Sequence, residues 1–398
     1  MVGQIALQQP GLLKLHKIGD LTMIEFICNR TKSFINYNLL LFCYFFVLFI
    51  TVLSVKCDLA LFINFFRLIF VYIVIGVGGF ICNDLYDEQS DKIAQKNNIS
   101  STLSRKKLML LTILLWSIGL ITAKYISTII FAILFLQISL LVIYSAKPFR
   151  LKEKGIWAIL IDGLYAHLLP GIVLLIFINH YSTQVFVPLS FLLFSFGIGL
   201  RDILSHQLYD YPNDVKSNTK TYAVSYLNHA QKLHDVFYQL IALFIPLLWI
   251  EISFKLNQYY FIWQLILYMI ILSILYYKNK SILLNSRHDL YVRLFVIITG
   301  VYLIYINLIN ENYFVIILLA HPYLIGSIRT HAHWTFLKCM YMLRVIFGKI
   351  FITVIPIIIN KLLYLIFKLF GRDLTKEPLY QSENEFECIK KFKQFWRN

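Results

Sequence analysis

The stretch GGFICNDLYDEQSDKIAQKNN, residues 78–98, opens as apolar helix and turns acidic within one turn. Asp84, Asp87 and Asp91 close a run, Phe65 to Cys82, whose only charge is Arg67. A helix of that composition is the kind that crosses a ~30 Å hydrocarbon core, so the acids stand at the mouth of a membrane span. Their spacing of i, i+3 and i+7, with Asn83 four residues before Asp87, puts the side chains on one helix face. Like charges so placed repel, and the arrangement is costly unless a cation is present. Oxygen-only ligands suit Mg²⁺, which keeps several waters and is shared with substrate phosphates. A solvated helix end carrying ordinary acids is the competing reading of this stretch taken alone.

Composition supports lipid as the solvent for much of the chain. Of 398 residues, 59% are hydrophobic and only 15% charged, against roughly 25% charged in an average soluble domain. Mean hydropathy is +0.69. Apolar windows of spanning length are expected near residues 38–55, 60–82, 108–123, 126–145, 157–178, 184–200, 235–250, 258–277 and 290–309. The reading is all-α: a polytopic helical bundle of about nine transmembrane helices around a cytosol-facing cavity. Two further apolar stretches, 313–328 and 350–369, are ambiguous, and Pro356 and Lys361 suit the second to the interface. Domain boundaries follow: a cytosolic arm over 1–37, the transmembrane domain over 38–309, extra hydrophobic helices over 310–370 and a charged cytosolic tail over 371–398. Residues 1–37 lack a compact cleavable apolar core, so no leader peptide is expected.

Lys and Arg orient the bundle. Lys92, Lys96, Arg105, Lys106 and Lys107 follow the second span, and Lys147, Arg150, Lys152 and Lys154 follow the fourth. Arg201, Lys216, Lys220 and Lys232 follow the sixth, and Lys278, Lys280 and Arg287 the eighth, while the intervening loops hold little beyond Lys56, Lys124 and Lys255. Even-numbered spans therefore end in the cytosol. The formal net charge of +16 is a topology signal plus attraction to the lipid bilayer, and no nucleic-acid partner is expected. The six cysteines are dispersed, with neither metal-type spacing nor a disulfide framework.

A second acidic cluster lies on the same face. RDILSHQLYDYPNDVKSNTKT, residues 201–221, follows the sixth span and places Asp210 and Asp214 at i, i+4. Pro212 is expected to interrupt the helix there, because a mid-helix proline clashes with the preceding turn. Two acidic sites at matching depth can each hold a metal and clamp a diphosphate between them. Cations for its remaining charge are at hand in YSAKPFRLKEKG, residues 144–155, where Lys147, Arg150 and Lys152 follow the hydroxyls of Tyr144 and Ser145. The positive-inside pattern would produce such a loop anyway, so its weight comes from its company.

Together the three loops resemble the UbiA superfamily of intramembrane prenyltransferases. Asn83-Asp84-x-x-Asp87-x-x-x-Asp91 matches that family's first aspartate motif, and Tyr144-Ser145-x-x-Pro148-x-Arg150-x-Lys152 is similar to its basic loop. Asp210-x-x-x-Asp214, with Lys216 and Thr219-Lys220-Thr221 after it, is similar to the end of the second motif, whose leading position is Gln207 here. The resemblance covers roughly residues 38–309. It implies transfer of a prenyl group from a prenyl diphosphate to a lipophilic or small-molecule acceptor that the sequence does not identify. It further implies a multi-pass membrane protein, of a bacterial plasma membrane, with its active site on the cytosolic face. Asn83, Asp84, Asp87, Asp91, Asp210 and Asp214 would bind Mg²⁺, with Asp87, Asp91, Asp210 and Asp214 as the catalytic acids. Asn83, Tyr144, Ser145, Lys147, Arg150, Lys152 and Lys216 would bind substrate.

Asp162, just inside the fifth span, is the remaining candidate for substrate binding, with His167 five residues on. Ionisable groups at membrane depth are costly and face a cavity or a partner. Asp162 could pair with a loop cation, orient the acceptor, or make a structural hydrogen bond between helices. A transporter or channel that uses the acids to bind cations is the rival function. It predicts ionisable residues near midplane and repeated halves with broken helices, whereas these acids gather at one rim beside a basic loop.

Overall fold

A computed structural model describes residue 31 and residues 40–95, 104–257, 259–278 and 290–315. The other expectations, for most of the N-terminal arm, for most of 313–328, for 350–369 and for the tail, lie outside these residues. The chain divides into two compact units, Met1–Met269 with His288–Arg329, and Ile270–Arg287 with Thr330–Asn398. The first holds every site residue discussed below. Of the second, residues 270–278 are described.

Among the described residues the secondary structure is helical. The helices are α1 (Leu40–Val52), α2 (Leu59–Ile93), α3 (Arg105–Ile126), α4 (Thr128–Ser145), α5 (Ile156–Tyr181) and α6 (Leu189–Lys216). They continue with the short α7 (Tyr222–Ser225), then α8 (Leu227–Lys255), α9 (Tyr260–Lys278) and α10 (Leu290–Ile309). Six are long and apolar enough to cross a membrane: α2, α3, α4, α5, α6 and α8. The expected spans at 38–55, 258–277 and 290–309 coincide with α1, α9 and α10, whose apolar runs are shorter (Leu41–Val52, Tyr260–Ile271 and Ile298–Ile309). Among the described residues, six of the nine expected spans thus meet the length and composition required.

Local chemistry sets the helix ends. Asp58 caps α2 by accepting from the Leu61 amide at 2.8 Å, and Ser127 both closes α3 and caps α4, accepting from the Ile129 amide at 3.2 Å. With 35 residues, α2 is about 50 Å long, some 20 Å more than a hydrocarbon core needs. The surplus carries the acids. Pro212 does not interrupt α6, which runs through it to Lys216. A proline removes one amide donor and crowds one carbonyl. Here it stands exposed, within about a turn of the helix end, where few helical bonds remain to be lost.

Helices pack in chain order from α2 to α6; α6 then packs on α8, α8 on α10, and α10 on α1, which returns to α5. Hydrogen bonds pin the two ends of this bundle. At one end Asn64 donates to the Tyr181 hydroxyl at 2.8 Å, the Ser190 amide to Glu251 at 3.0 Å and the Cys57 amide to Asn312 at 3.2 Å. At the other, Ser145 donates to Asn83 at 3.2 Å and the Ala223 amide to Gln207 at 3.2 Å. The bundle interior is aromatic: Phe46 stacks on Phe65, and Phe45 lies among Phe191, Phe194 and Phe295. Between α5 and α6 the backbones meet, for a Cβ on Gly199 would fall 2.7 Å from Gly163 Cα. Small residues permit such an approach in membrane bundles.

Candidate active site

The acidic end of α2 and the basic loop after α4 form one structure. Asn83, Asp84, Asp87 and Asp91 are all partly buried, as residues lining a concave rim are. The loop folds back onto them through a left-handed residue, Arg150, with φ 39° and ψ 56°. That conformation is disfavoured for any side chain with a Cβ, by roughly 1–2 kcal/mol. Contacts on both sides hold it: the Arg150 amide donates to the Ala146 carbonyl at 2.7 Å, and its guanidinium donates to the Tyr86 carbonyl at 3.1 Å. Glu153 accepts from Arg150 Nε at 2.5 Å. Strain retained where surrounding contacts over-determine it is a mark of functional sites.

The turn delivers two cations to one carboxylate. Arg150 Nη2 lies 3.2 Å from Asp87 Oδ1, and Lys152 donates to the same oxygen. All three side chains are at most 15% exposed. Burial draws the Lys152 ammonium below the ordinary lysine range, and the neighbouring Asp87 works against that shift. The acids are therefore not left to repel one another, since Asp87 is neutralised by the loop.

Tyr144 connects this cluster to the second one. Its buried phenol lies within electrostatic reach of Asp87, Asp162 and Asp214, acids spread over 127 positions (214 − 87) of the chain. Thr221, the cap of α7, donates to Asp214 at 3.3 Å. Gln207, at the leading position of the second motif, is buried and accepts from the Ala223 amide. Its Nε2 is buried without a hydrogen-bond partner. Asp84 and Asp91 share the α2 face with Asp87, and Asp210 sits one turn before Asp214 on α6.

Other expectations resolve differently. Lys147 and Lys216 are exposed and join none of these described contacts. Among the described residues Asp162 makes no ion pair with a loop cation and no hydrogen bond between helices; it accepts from Tyr165 within α5 at 2.6 Å. Tyr165 went unread in the sequence, although its i+3 spacing from Asp162 is a helical-neighbour signal. Glu153 and Thr221 gain their roles from loop geometry, which leaves no such signal. Deeper in α6, Arg201 Nη2 lies 2.5 Å from Asp202 Oδ1, with His167 Nε2 of α5 at 3.9 Å from Oδ2.

Among the described residues no group of three or more His, Cys, Asp or Glu side chains is drawn together as a ready cage for a metal. The donor set nevertheless fits Mg²⁺ shared with phosphate, which needs only one or two carboxylates beside water and substrate oxygens.

A family model described as the UbiA prenyltransferase family matches residues 39–297. No curated protein matches the chain. Three solved structures similar to it are of a UbiA homologue from Archaeoglobus fulgidus. The one bound to GPP and Mg²⁺ is 15% identical, covering 74% of this chain and 99% of its own, with a TM-score of 0.48. The one bound to DMAPP and Mg²⁺ has the same identity, coverage and score. A third, described simply as the homologue, is 17% identical over 71% of this chain and 96% of its own, at 0.46.

Proposed function

The chain belongs to the UbiA prenyltransferase family, and from that premise we propose that it moves a prenyl group from a prenyl diphosphate to an acceptor inside the membrane, with Mg²⁺. The observation that carries this reading is the engagement of the first acidic face by the basic loop, where Arg150 and Lys152 both reach Asp87, with Asp214 within electrostatic reach of the neighbouring Tyr144. On this reading the rim lies on the cytosolic side, as the distribution of Lys and Arg between loops expects, and the catalytic domain spans residues 38–309.

Asn83, Asp84, Asp87 and Asp91 on α2, and Asp210 and Asp214 on α6, would hold Mg²⁺, as the archaeal homologue holds it beside its prenyl diphosphates. When bound, the ion supplies Lewis-acid neutralisation of the diphosphate. Arg150 and Lys152 bind the leaving diphosphate and take up charge as its C–O bond breaks. Ser145 holds Asn83 in place, and Lys147 and Lys216 draw the anion toward the rim. Tyr144 and Tyr165, edge to face at 5.6 Å, offer electron-rich rings to the allylic cation. The surrounding apolar helices exclude water and take up the isoprenoid tail.

Labelled prenyl diphosphate added to membranes bearing the protein should yield a lipid-extractable product with Mg²⁺ and none with chelator. Asp87→Asn and Asp214→Asn should each reduce transfer about 10²-fold or more, as loss of a charge-stabilising group does. The double variant should be scarcely worse than either single, because residues acting as a unit are not additive. Near-normal Mg²⁺-dependent transfer by both singles would refute the assignment.

A further inference from the structure

Away from the diphosphate-binding rim, the bundle holds a carboxylate that this chemistry does not use. Asp162 lies six residues into α5, roughly 9 Å along the helix axis, and is half-buried. Oδ1 accepts the Tyr165 hydroxyl at 2.6 Å. Among the described residues, Oδ2 makes neither a hydrogen bond nor an ion pair. His206 and Asp202 of α6 and Tyr144 of α4 lie within electrostatic reach. Immediately after Asp162 the helix widens into a π turn, Leu164–Leu168, a distortion found often at functional sites. A carboxylate at this depth with one oxygen uncommitted is expensive, and nothing in the packing of α5 requires it.

Asp202 makes the contrast. It is matched by Arg201 and faced by His167. Among the described residues the Arg201 guanidinium is thus engaged by Asp202, while Asp162 has the Tyr165 hydroxyl as its hydrogen-bond partner. An anionic acceptor would set like charge against Asp162. A neutral one carrying a hydroxyl would satisfy it. Tyr165 lies edge to face with Tyr144 at 5.6 Å, and Tyr144 is within electrostatic reach of Asp87 and Asp214, so an acceptor held by Asp162 would lie toward the proposed diphosphate site.

We propose that Asp162 is the general base of the transfer, and that the acceptor is an uncharged, hydroxyl-bearing molecule whose attacking atom carries the proton that Asp162 removes. This rests on the prenyl-transfer reading. In the step, the allylic C–O bond breaks and its electron pair leaves with diphosphate. The acceptor's nucleophilic atom donates a pair to the allylic carbon and loses its proton to the Asp162 carboxylate. The acid so formed returns that proton to water, so the products are prenylated acceptor, diphosphate and one proton. Tyr165 is a positioning residue that holds Oδ1 and leaves Oδ2 for the acceptor.

The experiment uses full-length protein in its native membranes with their own acceptor pool. Labelled prenyl diphosphate reports transfer, prenol formed by hydrolysis, and diphosphate release. Geranyl and geranylgeranyl thiolodiphosphates, whose C–S bonds resist ionisation, report donor binding. Asp162→Asn should lower transfer about 10²-fold or more, the usual contribution of a general base, and should shift the released label toward prenol. Thiolodiphosphate binding should stay at the wild-type level. Transfer at the wild-type rate would overturn the proposal, and so would loss of thiolodiphosphate binding, which would make Asp162 part of the donor site or of the fold. Mass spectrometry of the wild-type product gives a test independent of any variant: an anionic headgroup would overturn the acceptor class. If wild-type protein shows no Mg²⁺-dependent transfer, the prenyltransferase reading itself fails, a result separate from all of these.

Discussion

Lys152 is an ammonium only 8% exposed, and Asp87 is what makes its burial tolerable. Breaking a buried ion pair from one side costs more than deleting both partners, because the survivor keeps its desolvation penalty. Asp87→Asn should therefore lower thermal stability in detergent by about 3 kcal/mol, the low end of the buried-pair range since both groups keep some contact with solvent. Lys152→Met should do the same, and the double variant should recover part of the loss. If the two losses simply add, the pair is not coupled. The sequence alone pointed to acids that repel one another unless a cation is present. It contained the right residue types, but the left-handed turn at Arg150 that swings both cations onto one oxygen is set by the loop's closure on α2. No spacing rule encodes that closure.

At the scale of elements, the junction of α5 and α6 sets the spacing of the site. Gly199 lies against Gly163, and a Cβ on Gly199 would also come within 3.0 Å of His167. Neither backbone can yield as a flexible side chain would. Gly199→Ala should force the helices apart and cost about 1–3 kcal/mol, as overpacking does, read as a lowered unfolding temperature. Transfer should fall with it, because Asp162 on α5 and His206 on α6 would separate. Gly197→Ala on the same helix is the control: its Cβ would meet nothing nearer than 3.4 Å, and it should be tolerated. The helices themselves were legible from hydropathy, since spanning length needs no knowledge of neighbours. Their close approach was not, because two glycines 36 positions apart (199 − 163) carry no mark of contact. Pro212 was misread for a related reason: its clash was weighed without knowing that α6 would end within about one turn of it.

For the whole molecule, the hydrogen bonds that tie Asn64 to Tyr181 and Ser145 to Asn83 put the end of α5 and the end of α2 at opposite ends of the bundle. Cysteines introduced over residues 92–107 and 179–183 should accordingly be labelled by an impermeant reagent from opposite sides of the membrane. Labelling from one side would break both the topology and the convergence of the acidic clusters. The alternation of Lys and Arg between loops made this arrangement readable, because charge sorting acts on loops one at a time. The number of crossings was harder to read. Hydropathy counts apolar windows one at a time, and among the described residues six helices carry a window of spanning length and composition.

The Asp87 contacts have a further consequence for how substrate would enter. Arg150 and Lys152 already share one carboxylate oxygen of Asp87. On the proposed reaction, a diphosphate would compete with Asp87 for those cations, and Asp87, so released, would be free to hold Mg²⁺. Binding of either partner then frees the group that the other needs, and by the reciprocity of linked equilibria the two must favour one another to the same degree. A protein embedded in fatty surroundings can in this way keep two cations buried beside an acid, yielding them to the one visitor that brings both signs at once.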